Sequence, residues 1–406
     1  VRSVAEHQAV VAGLLAPAPV EEVPLPQARG RVLGADLTAS IALPPFDNSA
    51  MDGYAVRAAD VAGATEGDPV VLPVAADIPA GRTDVPPLEP GTAHRIMTGA
   101  PMPVGADAVV QVEFTDGGVD RVQIRHAPAA GTHVRTIGED VPPGTVVLRA
   151  GTVLGAPQIG LAAAVGSATV PVRRPPHVLV LSTGSELVAP GTPLQPGQIY
   201  ESNGPMLAAA VQDAGGHAEL LRFVPDDVEA FTTVLQERIA EGVDLVLTSG
   251  GVSAGAYEVV KDGLTGRGVQ FVRVAMQPGG PQGAGRLEIE GPGAGLPVVT
   301  LPGNPVSTQV SFEVFVRPAL RAALGHPYPR RPSVTATLGE RLTSPAGKRQ
   351  FRRGILDAVD GTVREVGSPA SHLLGALARA DCLIVLPEDV TAAEVGDEVE
   401  VWLLDG

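Results

Sequence analysis

His177-Val-Leu-Val-Leu-Ser-Thr-Gly184-Ser-Glu186, Val243-Asp-Leu-Val-Leu-Thr-Ser249-Gly250-Gly251-Val-Ser253 and Pro297-Val-Val-Thr-Leu-Pro302-Gly303-Asn304-Pro305 are three apolar runs, each ending in a Gly- or Pro-rich turn. A continuous aliphatic run bounded by turn residues reads as a strand buried on both faces. Such strands lie in the middle of parallel sheets, whose ligands sit outside the carboxyl ends. The three bends therefore meet at one crevice. Glycine lets backbone N–H groups approach an anion closely, and Ser, Thr and Asn add donors, so the crevice suits a phosphate-bearing molecule.

Outward from these runs, residues 173–325 alternate strand and helix patterns, with a helix after Asn203, a strand near residue 219 and a helix after Asp226. That alternation predicts a βαβ arrangement with right-handed crossovers. The helix predicted from Pro305 to Ala323 carries Val306, Val310, Val314 and Leu320 on a helical period, and its N-terminus points at the crevice. Near the start of the chain, Val4, Val11, Leu14 and Leu15 share one helical face. Only Arg2 precedes the apolar stretch 10–17 and Glu6 interrupts the approach to it, so a secretory signal is not expected there. Residues 44–140 read differently. Period-two segments such as Ala108-Val-Val-Gln-Val-Glu-Phe114 and Arg121-Val-Gln-Ile-Arg125, set between Gly and Pro turns, predict a separate β-rich domain. Gly325-His-Pro-Tyr-Pro-Arg-Arg-Pro332 reads as a linker, and the alternation beyond it at Val334, Ala336, Leu338 and Val395, Val399, Val401, Leu403 suits a small β-barrel or sandwich.

Size and composition set the bounds. A chain of 406 residues has room for roughly two to four domains. A net charge of −16 argues against a nucleic-acid partner, because phosphate-backbone binding needs clustered Lys and Arg. Here these gather only at Lys348, Arg349, Arg352 and Arg353, which read as a solvated face. The single cysteine, Cys382, excludes an intramolecular disulfide and a protein-built thiolate cluster, and fits a reducing cytoplasm. No run approaches the ~18 apolar residues of a membrane span. The histidines show no ligand spacing and read as structural or surface groups. Leu181-Ser-Thr-Gly-Ser-Glu186 lacks the Gly-x-Gly-x-x-Gly turn of a nicotinamide dehydrogenase.

Pro45-Phe-Asp-Asn-Ser-Ala-Met-Asp52-Gly-Tyr-Ala-Val56 mixes acid, amide and apolar residues without alternation, the mark of a functional loop. This string resembles the signature of the molybdopterin molybdenumtransferases, the group that includes the C-terminal domain of gephyrin. Five further strings match in order: Arg95-Ile-Met-Thr98-Gly99-Ala-Pro101, Gly138-Glu139-Asp140, Ser182-Thr-Gly184-Ser-Glu186-Leu187, Ser249-Gly-Gly-Val-Ser253 and Leu301-Pro-Gly-Asn-Pro-Val-Ser307. The resemblance covers essentially the whole chain. It implies a multidomain α/β fold: a three-layer parallel-sheet α/β domain for molybdopterin (residues 1–17 and 173–325), an elongated linker domain (18–43 and 138–172), an inserted β-rich domain (44–137) and a C-terminal β-barrel (326–406). It also implies a cytoplasmic homodimer in which the inserted domain faces the partner's crevice.

The activity the resemblance implies is metal insertion, in which adenylylated molybdopterin and molybdate give molybdenum cofactor and AMP with Mg2+ assisting. Breaking a phosphoanhydride calls for a hard cation against phosphate oxygens and for donors at the developing charge. The implied Mg2+ ligands are Glu186, Asp226 and Glu258, each expected just beyond a strand, and oxygen is the ligand Mg2+ prefers. With Asp52 these form the implied catalytic set. Thr98, Gly99, Thr183, Gly184, Ser249, Gly250, Gly251 and Ser253 are implied substrate contacts, as are Pro302, Gly303, Asn304, Pro305 and Ser307 of the third bend. Arg353 is implied to reach the anion pocket from the C-terminal domain. The metal's sulfur ligands would come from the dithiolene of the substrate, since the chain has one cysteine. Taken alone, Asp226 reads equally as a helix cap, Glu186 as a turn closer and Asp52 as an Asx turn. The molybdopterin adenylyltransferase is a further partner that the resemblance allows.

The chain also departs from the family. The usual Lys-Pro-Gly-Lys-Pro stretch is Gln277-Pro-Gly279-Gly280-Pro281, the Ser pair after the Ser-His motif is Gly375-Ala376, and the usual Asp is the longer Glu258. At least one of Lys261, Arg273 and Arg286 is expected to compensate. An altered anion pocket also fits an alternative class of function, a protein-binding scaffold of the kind gephyrin provides.

Overall fold

The computed structural model describes residues 1–184, 186–224, 233, 242–250, 259–288 and 293–404. The aliphatic runs form a six-stranded sheet in the order His217–Val224, His177–Thr183, Leu245–Ser249, Pro297–Leu301, Pro281–Arg286, Val269–Arg273. The first four strands pair in parallel and the last two are antiparallel. The antiparallel edge follows from chain length. Residues 274–280 span too little for a crossover, which takes about a dozen residues, but suffice for a hairpin, and Val274 N–H donates to the Gly280 carbonyl at 2.7 Å.

Side chains alternate across this sheet. Val178, Val180, Leu245, Leu247, Val299 and Leu301 join one core, and Leu179, Leu181, Val246 and Val298 join another with Val260 and Leu264 of the helix Val259–Leu264. Helices therefore cover both faces, giving three layers. The first core also takes in Val4 and Val11 of the helix Val4–Ala12, whose start is fixed by a reciprocal Ser3–Glu6 capping box. The long helix runs as Pro305–Ser311, a π-helical stretch Phe312–Val316, and Arg317–Ala323. Its predicted stripe of Val306, Val310, Val314 and Leu320 is buried.

Three further cores are separate from this one. Strands Val20–Pro24 and Thr169–Arg173 pair over Val23, Leu33, Leu154 and Val172. A five-stranded sheet containing Gly53–Val56, Val70–Ile78 and Ala108–Gln111 encloses Tyr54, Val56, Val110 and Ile124. Near the C-terminus, Ser333–Leu338, Arg349–Leu356, Thr362–Glu365, Cys382–Leu386 and Glu398–Leu403 pair in a ring, and the contact of Arg349–Leu356 with Cys382–Leu386 closes it into a barrel. Leu338, Val363, Cys382, Ile384 and Val401 form the barrel's own core, while Phe351, Leu383 and Val385 on its outside belong to the apolar interior of the α/β sheet. Among the described residues no helix is long and apolar enough to cross a membrane.

One polar cluster sits inside this apolar interior. Glu313, 3 % exposed, accepts from Arg331 Nε at 2.9 Å and from Gln309 Nε2 at 3.0 Å, with Arg317 Nε at 3.8 Å. Burial lowers the Arg317 guanidinium to about 10. Arg331 belongs to the linker read from the sequence, so this carboxylate ties the long helix to the start of the barrel. Removing one partner of a buried ion pair typically costs about 3–5 kcal/mol. Glu313→Ala should therefore lower the urea midpoint by a corresponding amount, and a change below about 1 kcal/mol would show that the cluster contributes little.

Candidate functional site

The parallel strands end level with one another. Ser182 is in register with Ser249, and Ser249 with Leu301. Their bends consequently open into one cavity of about 940 Å3, lined among others by Thr183, Gly184, Glu186, Ser249 and Gly250. Pro302, Gly303, Asn304, Pro305 and Ser307 complete that side of the wall. The bends touch backbone to backbone. Gly250 has φ +89, and a Cβ there would lie 3.1 Å from the Thr183 carbonyl oxygen, while one on Gly303 would lie 3.4 Å from Gly250 Cα. The Glu186 carboxylate folds over Gly184, where a Cβ would come within 2.7 Å of it.

The sequence reading missed a second group of lining residues. Tyr200, Glu201 and Asn203 enter from the segment before the helix Asn203–Asp213. Glu201 is 2 % exposed; its Oε1 accepts from the Gly204 N–H at 2.5 Å, and its Oε2 has no partner. Asn203 Nδ2 donates to the Gly303 carbonyl at 2.7 Å, which fixes the third bend against this segment. The signal was available, since Ile199-Tyr-Glu-Ser-Asn203 mixes apolar, acid and amide residues without alternation, as the 45–56 loop does.

The barrel closes the other side through Pro369, Ala370, Ser371 and His372. Asn304 Nδ2 donates to Ser371 Oγ at 2.9 Å, and the Val306 N–H to the Ser371 carbonyl at 3.1 Å. His372 therefore stands on the cavity wall as an exposed side chain. The cluster expected to be solvated is half interior. Arg352 and Arg353 are 6 % and 2 % exposed although they lie on opposite faces of the strand, Arg352 being bonded to Gln350, Glu365 and the Thr343 carbonyl and Arg353 covered by the loop that follows Glu365. Arg353 was expected to meet an anion. Its guanidinium instead donates to the carbonyls of Val366, Ser368 and Ala370, at 3.5 Å to the first and 3.1 Å to the last, and so shapes the wall from behind.

The cations expected to compensate lie elsewhere. Arg286 donates to the Gly295 and Leu14 carbonyls at the opposite end of the sheet, at 2.9 and 2.6 Å, because its strand runs antiparallel. Arg273 lines a groove beside the N-terminal helix, and Lys261 is absent from the cavity wall. Among the described lining residues there are two carboxylates, Glu186 and Glu201, and no Lys or Arg. Cys382 is buried in the barrel with its thiol pushed up by burial, so it offers no thiolate. Asp226, Glu258, Gly251 and Ser253 fall outside the described residues. Asp52, Thr98 and Gly99 come together in the five-stranded sheet unit, away from this cavity. Thr98 N–H and Oγ1 donate to Asp52 Oδ1 at 2.7 and 2.8 Å and hold its carboxyl below the usual range.

Three family models match consecutive parts of the chain: the MoeA N-terminal region (domains I and II) over residues 2–166, a probable molybdopterin binding domain over 179–322 and the MoeA C-terminal region (domain IV) over 335–404. Molybdopterin molybdenumtransferase 2 of Mycobacterium tuberculosis is 58% identical over 408 residues, covering 99% of each chain. The molybdopterin molybdenumtransferase of Bacillus subtilis is 34% identical over 95% of this chain and 90% of its own. The crystal structure of a molybdopterin biosynthesis MoeA protein from Pyrococcus horikoshii superposes with a TM-score of 0.85 at 33% identity and covers 100% of both chains.

Because Arg353 holds three carbonyls of the loop that walls the cavity, its loss should act on that loop first. Hydrogen bonds from a charged donor contribute roughly 1.5–3 kcal/mol each and do not add fully. Arg353→Ala should speed amide hydrogen exchange across residues 366–372 by at least about tenfold while leaving the Leu245–Ser249 strand protected. Unchanged exchange in the loop would remove this role.

Proposed function

We propose, because the chain belongs to the molybdopterin molybdenumtransferases and thus to the enzymes of molybdenum cofactor biosynthesis, that its cavity takes adenylylated molybdopterin and molybdate and yields molybdenum cofactor and AMP. The observation that carries this reading is the convergence of three distant bends and two carboxylates on one cavity of about 940 Å3, at the upper end of small-molecule sites and suited to a nucleotide-capped ligand.

The chemistry asks the protein for positioning and charge stabilisation more than for covalent participation. Backbone N–H groups at the bends and the hydroxyls of Thr183, Ser249 and Ser307 are the donors for phosphate oxygens as negative charge builds toward AMP. The residues present fit Mg2+. Glu186 and the partnerless buried Glu201 Oε2 are oxygen ligands of the type it takes, and Asp226 and Glu258 are further expected ligands outside the described residues. Bound there, the ion supplies neutralisation of phosphate charge. The barrel loop and the segment around Tyr200 wall the cavity on the sides that the three bends leave open. Molybdate arrives as the oxyanion and meets its sulfur on the pterin, since no thiolate of this chain is on the wall. A homodimer in which each inserted domain faces the other subunit's crevice would bring the Asp52–Thr98 turn to the ligand.

The decisive assay is AMP release from adenylylated molybdopterin in the presence of molybdate and Mg2+. Chelation of the metal should stop it. Glu186→Gln should lower kcat by about a hundredfold with the pterin still bound, the scale of losing one preorganised charge contact. Wild-type chain that binds the pterin, releases no AMP and fails to restore nitrate reductase activity in cells lacking the native transferase, even at high molybdate, would instead favour the scaffold reading.

A further inference from the structure

An anion in this cavity needs a donor, and the described wall has no Lys or Arg. Besides the hydroxyls of Thr183, Ser249 and Ser307, one amide on it is placed to donate. The short strand Met276–Gln277 pairs in parallel with the barrel strand, Gln277 opposite Gln350. Arg352 Nε donates to Gln350 Oε1 at 2.5 Å, and the same guanidinium donates to Glu365 Oε1 at 3.1 Å and to the Thr343 carbonyl at 2.6 Å. Gln350 Nε2 donates in turn to Gln277 Oε1 at 3.3 Å. Gln350 is 1 % exposed, so this chain of bonds is interior until it reaches Gln277, which lines the cavity.

The direction of both amides is forced by chemistry. A guanidinium has donors only, so the Gln350 atom facing Arg352 must be its oxygen. The Gln350 NH2 is thereby turned to Gln277, whose facing atom must then be its own oxygen. What Gln277 has left is its NH2, with no hydrogen-bond partner among the described residues. We propose that Gln277 is an oxyanion-facing donor of the cavity, held NH2-outward by Gln350 and Arg352, which act as positioning residues. The inference rests on the oxyanion reading given above and specifies how this chain meets it without a cation at position 277.

A neutral donor has particular consequences here. It can bond an oxyanion without pairing with Glu186 or Glu201, which stay free for a divalent ion. Its hydrogen bond is weaker than one from a charged donor and depends less on ionic strength. Because the buried relay fixes the amide beforehand, little reorganisation accompanies binding.

The test is calorimetric titration of the purified full chain with molybdate, alongside thermal unfolding to confirm that each variant is folded. Gln277→Leu, which removes the donor at similar volume, should weaken molybdate about tenfold. Gln350→Glu keeps an acceptor for Arg352 but has no NH2, so Gln277 turns its oxygen outward and affinity should fall by a similar factor. In the double variant the second loss should vanish, since there is no amide left to orient. Gln277→Lys should bind at least as tightly as wild type at low salt and lose that advantage in about 0.5 M salt. Equal affinity of Gln277→Leu and wild type, or additive losses in the double variant, overturns the relay. A wild-type chain that takes up no molybdate overturns the oxyanion reading of the cavity itself.

Discussion

The site depends on how closely three backbones approach at the carboxyl edge of the sheet. Aliphatic side chains bury the parallel strands on both faces, and a slip of one residue would exchange the two sets of side chains between cores. Register is therefore fixed by the interior, and with it the height at which each strand ends. The bends have no freedom to move apart, so they must tolerate contact. Gly250 at φ +89, with 3.1 Å from its missing Cβ to the Thr183 carbonyl, is where that demand is sharpest. An L residue in the left-handed region costs roughly 1–2 kcal/mol before any clash is counted.

Charge is distributed in an unexpected way around this edge. The chain spends its best anion-binding side chains on itself. Arg353 holds loop carbonyls, Arg352 holds a glutamine and a glutamate, and Arg317 and Arg331 surround Glu313. For Arg352 and Arg353 a planar fork of donors satisfies several interior acceptors together, which a lysine cannot do. The cavity is left with carboxylates, hydroxyls, amides and backbone N–H groups. That balance favours a ligand arriving with a divalent cation, or one whose negative charge is shared among many neutral donors.

The fold was readable where burial imposes a period. The aliphatic runs, the stripe on the helix after Asn304 and the alternation near the C-terminus carry their own geometry, and the structure agrees with them. The antiparallel edge was less legible, because a short stretch with glycines at 279, 280, 283 and 285 has no hydrophobic signature and its direction follows from loop length. The bends themselves were visible as Gly- and Pro-rich strand ends. The wall contributed by Tyr200, Glu201 and Asn203 was passed over although Ile199-Tyr-Glu-Ser-Asn203 carries the same mix of apolar, acid and amide residues as the 45–56 loop, because a helix start ordinarily contains such residues too. The arginines were misread for a different reason: sequence reports the sign of a charge but not which carbonyls will face it after a barrel closes.

The barrel is part of the cavity and not an appendage to it. Residues two apart on a strand share a face. Gln350 and Arg352 therefore stand on one face of Arg349–Leu356, with Phe351 and Arg353 on the other. One face relays orientation to Gln277; the other buries Phe351 in the core of the α/β sheet and steadies the loop that carries Ser371 and His372. A single strand thus sets two walls of the cavity by different means, hydrogen-bond direction on one side and packing with carbonyl capture on the other. Because both faces must fit at once, the barrel can take only one seat against the sheet. Closing the barrel and shaping the ligand site are then the same structural event.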